Sequence, residues 1–336
     1  MHILSIVLTM LLPFSTAAVL HRQDEPYVGY LLSTFTDADP SVFWYISDAS
    51  DPLAFKPLNG GNPVLKSTVG TKAVRDIFLT ANEDRSEYFI LGTDLDINAD
   101  GFSWDEASRR GSRGLTIWRS ENLIDWSEPT LSTIESPTAG MAWAPSAIYN
   151  ESTSQYTLFW ASRLYSEADT NHTGPATLDR IRYTTSSDFS TFSTPADYVA
   201  LDAENIPLID QEFLPLGAPG HYVRFLKDEN VLHVYQETTV DGLFGSWTRS
   251  SSEGSYIVHS VFEGPAAFPD VRVPGRFYLL MDNYEEYVPF RTDDVLGGVW
   301  EEINGPAVRL PAGLKHGNVV LLTRREYEAV LGRYGS

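Results

Sequence analysis

Short runs in which apolar and polar residues alternate recur along most of the chain, between clusters of Gly, Pro, Asp and Ser. Such runs are typical of β-strands joined by turns. The clearest versions are rich in Tyr, Phe and Leu and occupy residues 87–92, 155–160, 221–225 and 276–280. We predict an all-β body, followed by one short helix over residues 324–331 that begins at the N-cap Thr323 and ends near Gly332.

The strand pattern repeats five times. Each repeat ends on an aromatic residue after a polar turn, and these residues are Phe55, Trp126, Phe192, Trp247 and Trp300. One polar residue marks the start of the first strand of each repeat, and the five markers are Asp76, Ser146, Asp210, Glu263 and His316. Successive markers are about 53 to 70 residues apart, which indicates a radial or solenoidal architecture.

The fifth repeat is divided between the two ends of the chain. Its first strand is predicted at residues 315–321, whereas the strands that would complete it are found at residues 27–35 and 42–47. A ring that closes in this way removes the exposed edges of its sheets. The prediction is a five-bladed β-propeller over residues 27–336, in which the five polar markers converge on a central pocket.

The first residues have a different character from the rest. An apolar run of about twelve residues, from Ile3 to Phe14, precedes a stretch of small side chains, as in a secretory signal peptide. We expect a signal peptide at residues 1–18, a linker at 19–26 and a secreted, extracellular protein. The sequons at Asn150 and Asn171 are expected glycosylation sites, consistent with secretion.

Composition excludes several classes of protein. A formal charge of −21 leaves no basic surface for nucleic acid, and no later segment is long and apolar enough for a membrane span. The absence of cysteine excludes disulfides, thiolate catalysis and Cys-based zinc sites. A closed ring has no structural need for a partner subunit, so we expect a monomer.

Five short motifs in a fixed order resemble the signature of glycoside hydrolase family 43. They begin at Val74, Trp143, Leu208, Glu263 and Lys315 and read Val-Arg-Asp, Trp-Ala-Pro, Leu-Ile-Asp, Glu-Gly-Pro and Lys-His-Gly. The resemblance covers nearly the whole chain after the signal peptide. It implies a five-bladed propeller that acts on arabinans, xylans and related furanosides.

The resemblance also implies roles for three carboxylates. Asp76 would be the general base and Glu263 the general acid of an inverting glycosidase. Asp210 would hold the acid in place and raise its pKa through the proximity of a like charge. His316 would lie beside a calcium or sodium ion on the axis and act largely through water; we expect no other cofactor.

Two positions depart from the family pattern, because Ile77 replaces the usual proline and Ser146 replaces a frequent acidic residue. Four further side chains are expected to contact substrate, together with His316: Phe78, Trp143, Ser146 and Arg224. Phe78 and Trp143 would form an apolar wall, although either would fit ordinary packing between blades. Arg224 lies within an apolar strand and needs a partner, for which we expect a carboxylate or a sugar hydroxyl in the pocket.

The sequence therefore predicts a secreted inverting exo-glycosidase that acts on an oligo- or polysaccharide. The favoured activity is that of an α-L-arabinofuranosidase, with β-galactofuranosidase and β-xylosidase as alternatives. Long inserts at residues 94–113 and 164–179 favour exo action, because they would close one end of the pocket. A secreted propeller that binds glycans without catalysis is the alternative from another class.

Overall fold

The computed structural model describes residues 26–249 and 256–335. The predicted signal peptide lies outside these residues. Three strands come first in the described part of the chain: β1 (Tyr27–Thr34), β2 (Phe43–Asp48) and β3 (Lys56–Pro57). They run antiparallel to one another in the order of the sequence. Within the described residues, no helix has the length and apolarity that a membrane span requires.

Four complete blades follow, each an antiparallel sheet of four strands in sequence order. Blade 1 contains β4 (Val74–Ala81), β5 (Tyr88–Asp94), β6 (Gly114–Ser120) and β7 (Thr130–Thr133). Blade 2 contains β8 (Trp143–Asn150), β9 (Gln155–Ser162), β10 (Arg180–Ser186) and β11 (Ala196–Val199). Blade 3 contains β12 (Leu208–Pro215), β13 (Tyr222–Asp228), β14 (His233–Thr239) and β15 (Thr248–Arg249). Blade 4 contains β16 (Glu263–Pro269), β17 (Phe277–Asp282), β18 (Tyr287–Thr292) and β19 (Glu301–Glu302).

The fifth blade joins the two ends of the described chain, as predicted. Its inner strand is β20 (Asn318–Thr323), which pairs antiparallel with β1, so that the strand order is β20-β1-β2-β3. The pairing runs from Tyr27 opposite Thr323 to Ser33 opposite Asn318. The fold is therefore a five-bladed β-propeller, and the predicted closure is confirmed.

The C-terminal helix is longer than predicted. It is α2 (Arg324–Tyr334), which begins with a capping box between Thr323 and Glu326 and continues through Gly332. A glycine inside a helix costs about 1 kcal/mol relative to alanine. Here the helix continues because its last residue, Tyr334, packs on the apolar core and donates a hydrogen bond of 3.0 Å to the carbonyl of Ile124.

Five apolar clusters form the core, and they lie between neighbouring blades. The predicted closing aromatics of the repeats each belong to a different cluster: Phe55, Trp126, Phe192, Trp247 and Trp300. The cluster of Phe55 joins blades 4 and 5 through side chains such as Phe268 and Tyr30. The repeat recognised in the sequence is thus the repeat of inter-blade packing.

The same β-bulge interrupts the inner strand of each complete blade. The register shifts lie between Arg75 and Phe78, Trp143 and Ser146, Ile209 and Glu212, and Glu263 and Ala266. The first bulged residue has a positive φ every time: 51° at Asp76, 51° at Ala144, 53° at Asp210 and 55° at Gly264. Because a bulge redirects a side chain out of the regular alternation, it turns these positions away from the sheet.

The two long inserts bind each other on one face of the ring. The first contains the helix α1 (Trp104–Arg110), which begins at the N-cap Ser103. Arg110 donates a hydrogen bond of 2.7 Å to the carbonyl of Asn171 in the second insert. The imidazole Nδ1 of His172 lies 2.5 Å from the carbonyl oxygen of Arg109. These contacts hold α1 of the first insert against the second insert.

Candidate active site

A cavity of about 310 Å³ opens where the inner strands begin. The apolar part of its lining, called here the apolar wall, consists of Leu95, Ile97, Trp104, Trp143 and Ile209. The remaining lining side chains are ionisable and include a tyrosine: Asp37, Arg75, Asp76, Asp210, Lys227, Glu229, Glu263, Tyr284, Lys315 and His316. The cavity therefore combines the three predicted carboxylates with an apolar wall, an arrangement suited to one sugar ring.

Asp76 is held by a hydroxyl group and by an imidazole. The hydroxyl of Thr93 on β5 donates a hydrogen bond of 2.7 Å to Asp76 Oδ2, and it accepts one of 2.8 Å from the N–H of Ala144. The Nδ1 atom of His316 lies 3.5 Å from Asp76 Oδ1 and 3.8 Å from Asp210 Oδ1. The imidazole thus lies between two carboxylates from different blades.

The protonation states follow from this geometry. Burial raises the pKa of Asp76, but the positive charges of His316 and Arg75 and the hydrogen bond from Thr93 more than offset it, and the pKa is lowered. Burial would lower the pKa of His316, yet the charges of Asp210 and Asp76 raise it to about 9. At neutral pH the site therefore holds an ionised Asp76 beside a positively charged His316, and an ionised carboxylate is the form that a general base requires.

Asp210 supports the residue next to the predicted acid. Its Oδ2 atom accepts a hydrogen bond of 3.0 Å from the N–H of Gly264, which directly follows Glu263. Burial, together with the charges of Glu263 and Asp76, raises the pKa of Asp210 to about 6, although His316 and Lys227 act in the opposite direction. The carboxylate therefore fixes the backbone beside Glu263 and places a like charge near it.

The ion pair that holds Glu263 was not predicted. The Nζ atom of Lys227 lies 2.8 Å from Glu263 Oε2, and the Lys227 side chain is only 3% exposed. Burial would lower the pKa of Lys227, but the carboxylates of Glu263, Asp210 and Glu229 raise it above its ordinary value. The sequence signal was a second cation after Arg224 on β13, a strand whose other central residues, Val223, Phe225 and Leu226, are apolar.

The structure places three of the predicted substrate contacts outside the lining of the cavity. Phe78 is buried in the apolar cluster between blades 1 and 2. Arg224 pairs with Glu237 on the neighbouring strand, where its Nε atom lies 2.7 Å from the carboxylate, and stacks on Trp247. Ser146 is buried two residues beyond the bulge position, which Ala144 occupies in blade 2.

The apolar wall contains one predicted residue and one that was missed. Trp143 lines the cavity, as expected, and packs edge-on against Trp104 of α1 at a centroid distance of 6.0 Å. Trp104 is 55% exposed and packs in turn against Phe102 at 4.9 Å. The first insert therefore lines the cavity as predicted, whereas the second insert supplies none of the described lining residues and supports α1 instead.

Ile77, which stands where the family pattern has proline, does not change the backbone of the bulge relative to the blades that have proline there. Ile77 takes the second bulge position, which is Pro145 in blade 2 and Pro265 in blade 4. Asp76 has the same positive φ as the residues before those prolines, so its carboxylate reaches the cavity without a proline after it.

The side chains around His316 bear on the predicted axial cation. His316 is held between two carboxylates with a raised pKa, and a protonated imidazole has no lone pair for a metal. In the part of the chain that the structure describes, no three His, Cys, Asp or Glu side chains converge in a way that would hold a metal ion. Direct ligation by His316 does not fit, and a cation reached through water stays a prediction.

The predicted glycosylation sites lie at the surface. Asn150 ends β8, and Asn171 lies in the second insert; both side chains are exposed. Modification at either position stays a prediction.

A five-bladed propeller whose central cavity carries several carboxylates beside an apolar wall defines a glycoside hydrolase of the family 43 type. Residues 25–328 match a family model described as "probable glycosyl hydrolase domain", which is related to glycosyl hydrolase family 43. The chain belongs to this family. Inversion at the anomeric carbon is general in family 43.

Individual proteins of known activity or structure are similar to this chain only at low sequence identity. An α-L-arabinofuranosidase of Bifidobacterium longum subsp. longum is 27% identical over 218 residues, which cover 61% of this chain and 20% of the relative. An α-L-arabinanase of Penicillium chrysogenum, solved with arabinobiose, has a TM-score of 0.51 at 14% identity, covering 82% of this chain and 77% of its own. An exo-β-1,3-galactanase of Phanerochaete chrysosporium has a TM-score of 0.45 at 13% identity, covering 68% and 49%. At 14% identity the arabinanase structure supports the fold alone.

Proposed function

We propose that this protein is an inverting exo-glycosidase that releases terminal α-L-arabinofuranosyl residues from oligo- or polysaccharides. The observation that carries the proposal is the pair of carboxylates Asp76 and Glu263, which come from blades 1 and 4 and line the same cavity. The two are held differently, Asp76 by Thr93 and His316 and Glu263 by Lys227.

In the proposed reaction, Asp76 accepts a proton from a water molecule that attacks the anomeric carbon. Glu263 gives its proton to the glycosidic oxygen on the other side, and the bond between that oxygen and the anomeric carbon breaks. Asp210 fixes the acid through the N–H of Gly264. The carboxyl proton of Glu263 is restored, and that of Asp76 released, by exchange with solvent.

The size and shape of the site support exo action. A cavity of about 310 Å³ suits one sugar ring better than a long chain that passes through. The first insert restricts one side, since the side-chain amide of Asn98 donates a hydrogen bond of 2.7 Å to the carbonyl of Asp37 on the fifth blade. The choice of α-L-arabinofuranose rests on the name of the relative from Bifidobacterium longum. Terminal β-D-galactofuranosyl and β-D-xylopyranosyl residues are the alternatives.

The test is sugar release from aryl α-L-arabinofuranoside, β-D-galactofuranoside and β-D-xylopyranoside by the wild-type protein. The Asp76→Ala protein is the control, and the anomer first formed is identified by NMR. Turnover of the arabinofuranoside by the wild type alone, with inversion, supports the proposal. Turnover of another sugar corrects the specificity, and a folded wild type that acts on none of them favours a glycan-binding propeller.

The same proposal includes secretion. It rests on the apolar run of residues 3–14 and the small residues after it. Expression of the full chain in a secreting host, followed by N-terminal sequencing of the protein in the medium, tests it. A mature N-terminus near residue 19 is the expected result.

A further inference from the structure

We infer that Lys227 is a positioning residue for the general acid: its ammonium binds Oε2 of Glu263, so that Oε1 carries the proton that reaches the leaving oxygen. The inference rests on the proposed function, because it assumes that Glu263 is the acid. It adds a residue that neither the motifs nor the comparisons assign.

The geometry leaves the ammonium little freedom. Its Nζ atom lies 2.8 Å from Glu263 Oε2, 2.7 Å from Glu229 Oε1 and 2.8 Å from the hydroxyl of Tyr284. Two of its N–H groups donate hydrogen bonds, to Glu263 and to Tyr284, and the carboxylate of Glu229 lies within ion-pair distance. Because the side chain is only 3% exposed, water does not compete for these bonds. The carboxylate of Glu263 is 22% exposed and lines the cavity, so one of its oxygens is anchored while the group remains accessible.

A second buried lysine shows that this arrangement is specific. Lys315 also lines the cavity, but it contacts Asp282 at 3.3 Å and the carbonyl of Tyr284 at 2.5 Å. Both lysines form ion pairs with carboxylates, but of the two only Lys227 contacts Glu263. Lys315 is therefore a matched control for the loss of a buried positive charge from the same cavity.

The charge of Lys227 has a defined use in the reaction. When Glu263 gives up its proton, the electron pair of the broken glycosidic bond stays on the leaving oxygen, which takes that proton, and a carboxylate is left behind. Lys227 lies against this new carboxylate and stabilises it in a buried site, where such an interaction is stronger than in water. Other charges around Glu263 come from Asp210 on β12, Asp282 on β17 and His316 before β20.

This role predicts dependence on the leaving group. A poor leaving group needs the proton, whereas an activated aryl group leaves without it. We therefore expect Lys227→Met to lower kcat on an alkyl α-L-arabinofuranoside or an arabino-oligosaccharide by about 100-fold, and on a 2,4-dinitrophenyl glycoside by less than about 5-fold. Lys315→Met is expected to lower both rates by a similar factor.

A chemical rescue separates charge from packing. The chain contains no cysteine, so Lys227→Cys introduces a single thiol on the cavity wall. Alkylation with 2-bromoethylamine restores an ammonium at nearly the length of lysine, whereas iodoacetamide adds a neutral group of similar size. Mass spectrometry confirms each modification. We expect the aminoethylated protein to recover at least 10-fold on the poor leaving group, and the amide to recover nothing.

Each outcome decides the question. An equal loss on both leaving groups in Lys227→Met, without rescue of Lys227→Cys, assigns Lys227 a structural role and overturns the inference. The same holds if neither Lys227 variant gives the wild-type circular dichroism spectrum. If the wild-type protein hydrolyses no glycoside, the proposed function itself fails and the inference fails with it. If the wild type is active but the Lys227 variants lose activity equally on both leaving groups, only the role of Lys227 is overturned and the proposed function stands.

Discussion

The residue after the predicted acid is a glycine that has no room for a side chain. Gly264 has φ of 55°, and a Cβ atom placed on it would lie 2.7 Å from Cβ and 2.8 Å from Cγ of His316. We predict that Gly264→Ala is destabilising and also lowers activity. The alanine would push His316 away from Asp76 and Asp210, between which the imidazole is now held.

The magnitude can be assembled from two costs. An alanine in the left-handed region costs roughly 1 kcal/mol more than a glycine, and the overlap with a buried side chain adds about 1–3 kcal/mol. The lower entropy of the unfolded alanine chain returns about 0.5 kcal/mol. The net loss is about 1.5–3.5 kcal/mol, which for a chain of this size lowers Tm by about 2–6 °C.

Blade 2 supplies the matched control. Ala144 occupies the same bulge position with φ of 51°. Its backbone N–H donates a hydrogen bond to the hydroxyl of Thr93, and a substitution of the side chain keeps this bond. Ala144→Gly relieves strain but loosens the unfolded chain, so its stability should stay within about 1 kcal/mol of the wild type.

Thermal unfolding and turnover of an aryl glycoside measure both effects. The expected pattern is a large fall in Tm and in kcat for Gly264→Ala and little change for Ala144→Gly. A Gly264→Ala protein with the Tm and kcat of the wild type would refute the argument that this glycine is needed for the approach of His316. A loss of the same size in Ala144→Gly would show that the bulge, and not His316, sets the cost.

Three further predictions concern the cavity. Glu263→Gln should slow hydrolysis of substrates with poor leaving groups by at least about 100-fold and that of activated aryl glycosides far less, and equal loss in steady-state kinetics would contradict its role as the acid. Burial alone would lower the pKa of His316, but Asp210 and Asp76 raise it to about 9. The charged imidazole therefore contributes stability that is complete below pH 6.5, the ordinary pKa, and is lost as the pH rises through 9, by up to about 3 kcal/mol. Urea unfolding between pH 6 and 10 should show this loss in the wild type and a flatter profile in His316→Gln; parallel profiles would exclude it. Trp104→Ala should raise KM for arabino-oligosaccharides several-fold with kcat little changed, whereas Phe244→Ala, which removes another exposed aromatic ring, should change neither.

The architecture of the ring could be predicted because its signals are local and repeated. Each blade carries its own strand pattern and closing aromatic, and the divided fifth repeat required closure between residues 27–35 and 315–321. The ordered motifs then located Asp76, Asp210 and Glu263, and all three line the cavity.

The positions of single side chains were harder to predict, because the bulge changes the alternation of the strand. Counting along a regular strand made Ser146 the equivalent of Asp76, whereas the bulge gives that position to Ala144. The same shift places Glu263 one residue before the bulge and gives the bulge position to Gly264. Nothing in the composition of a strand reports such an insertion directly.

The ion-pair partners of buried cations on neighbouring strands could not be predicted from the sequence either. Arg224 was correctly expected to need a partner, but its partner is Glu237, directly opposite on the neighbouring strand and not in the cavity. Lys227 lies three residues further along the same strand and does reach the cavity. Which of two buried cations contacts the site depends on how the sheet is oriented, and this is known only once the ring is closed.

The closure of the ring also determines when the protein can become active. His316 lies two residues before β20, so the imidazole reaches Asp76 and Asp210 only when β20 pairs with β1. Synthesis of the chain delivers the three carboxylates before this histidine. A chain released from the ribosome before residue 318 would lack both the last inner strand and the fixed imidazole. Completion of the fold and assembly of the candidate site are therefore a single event.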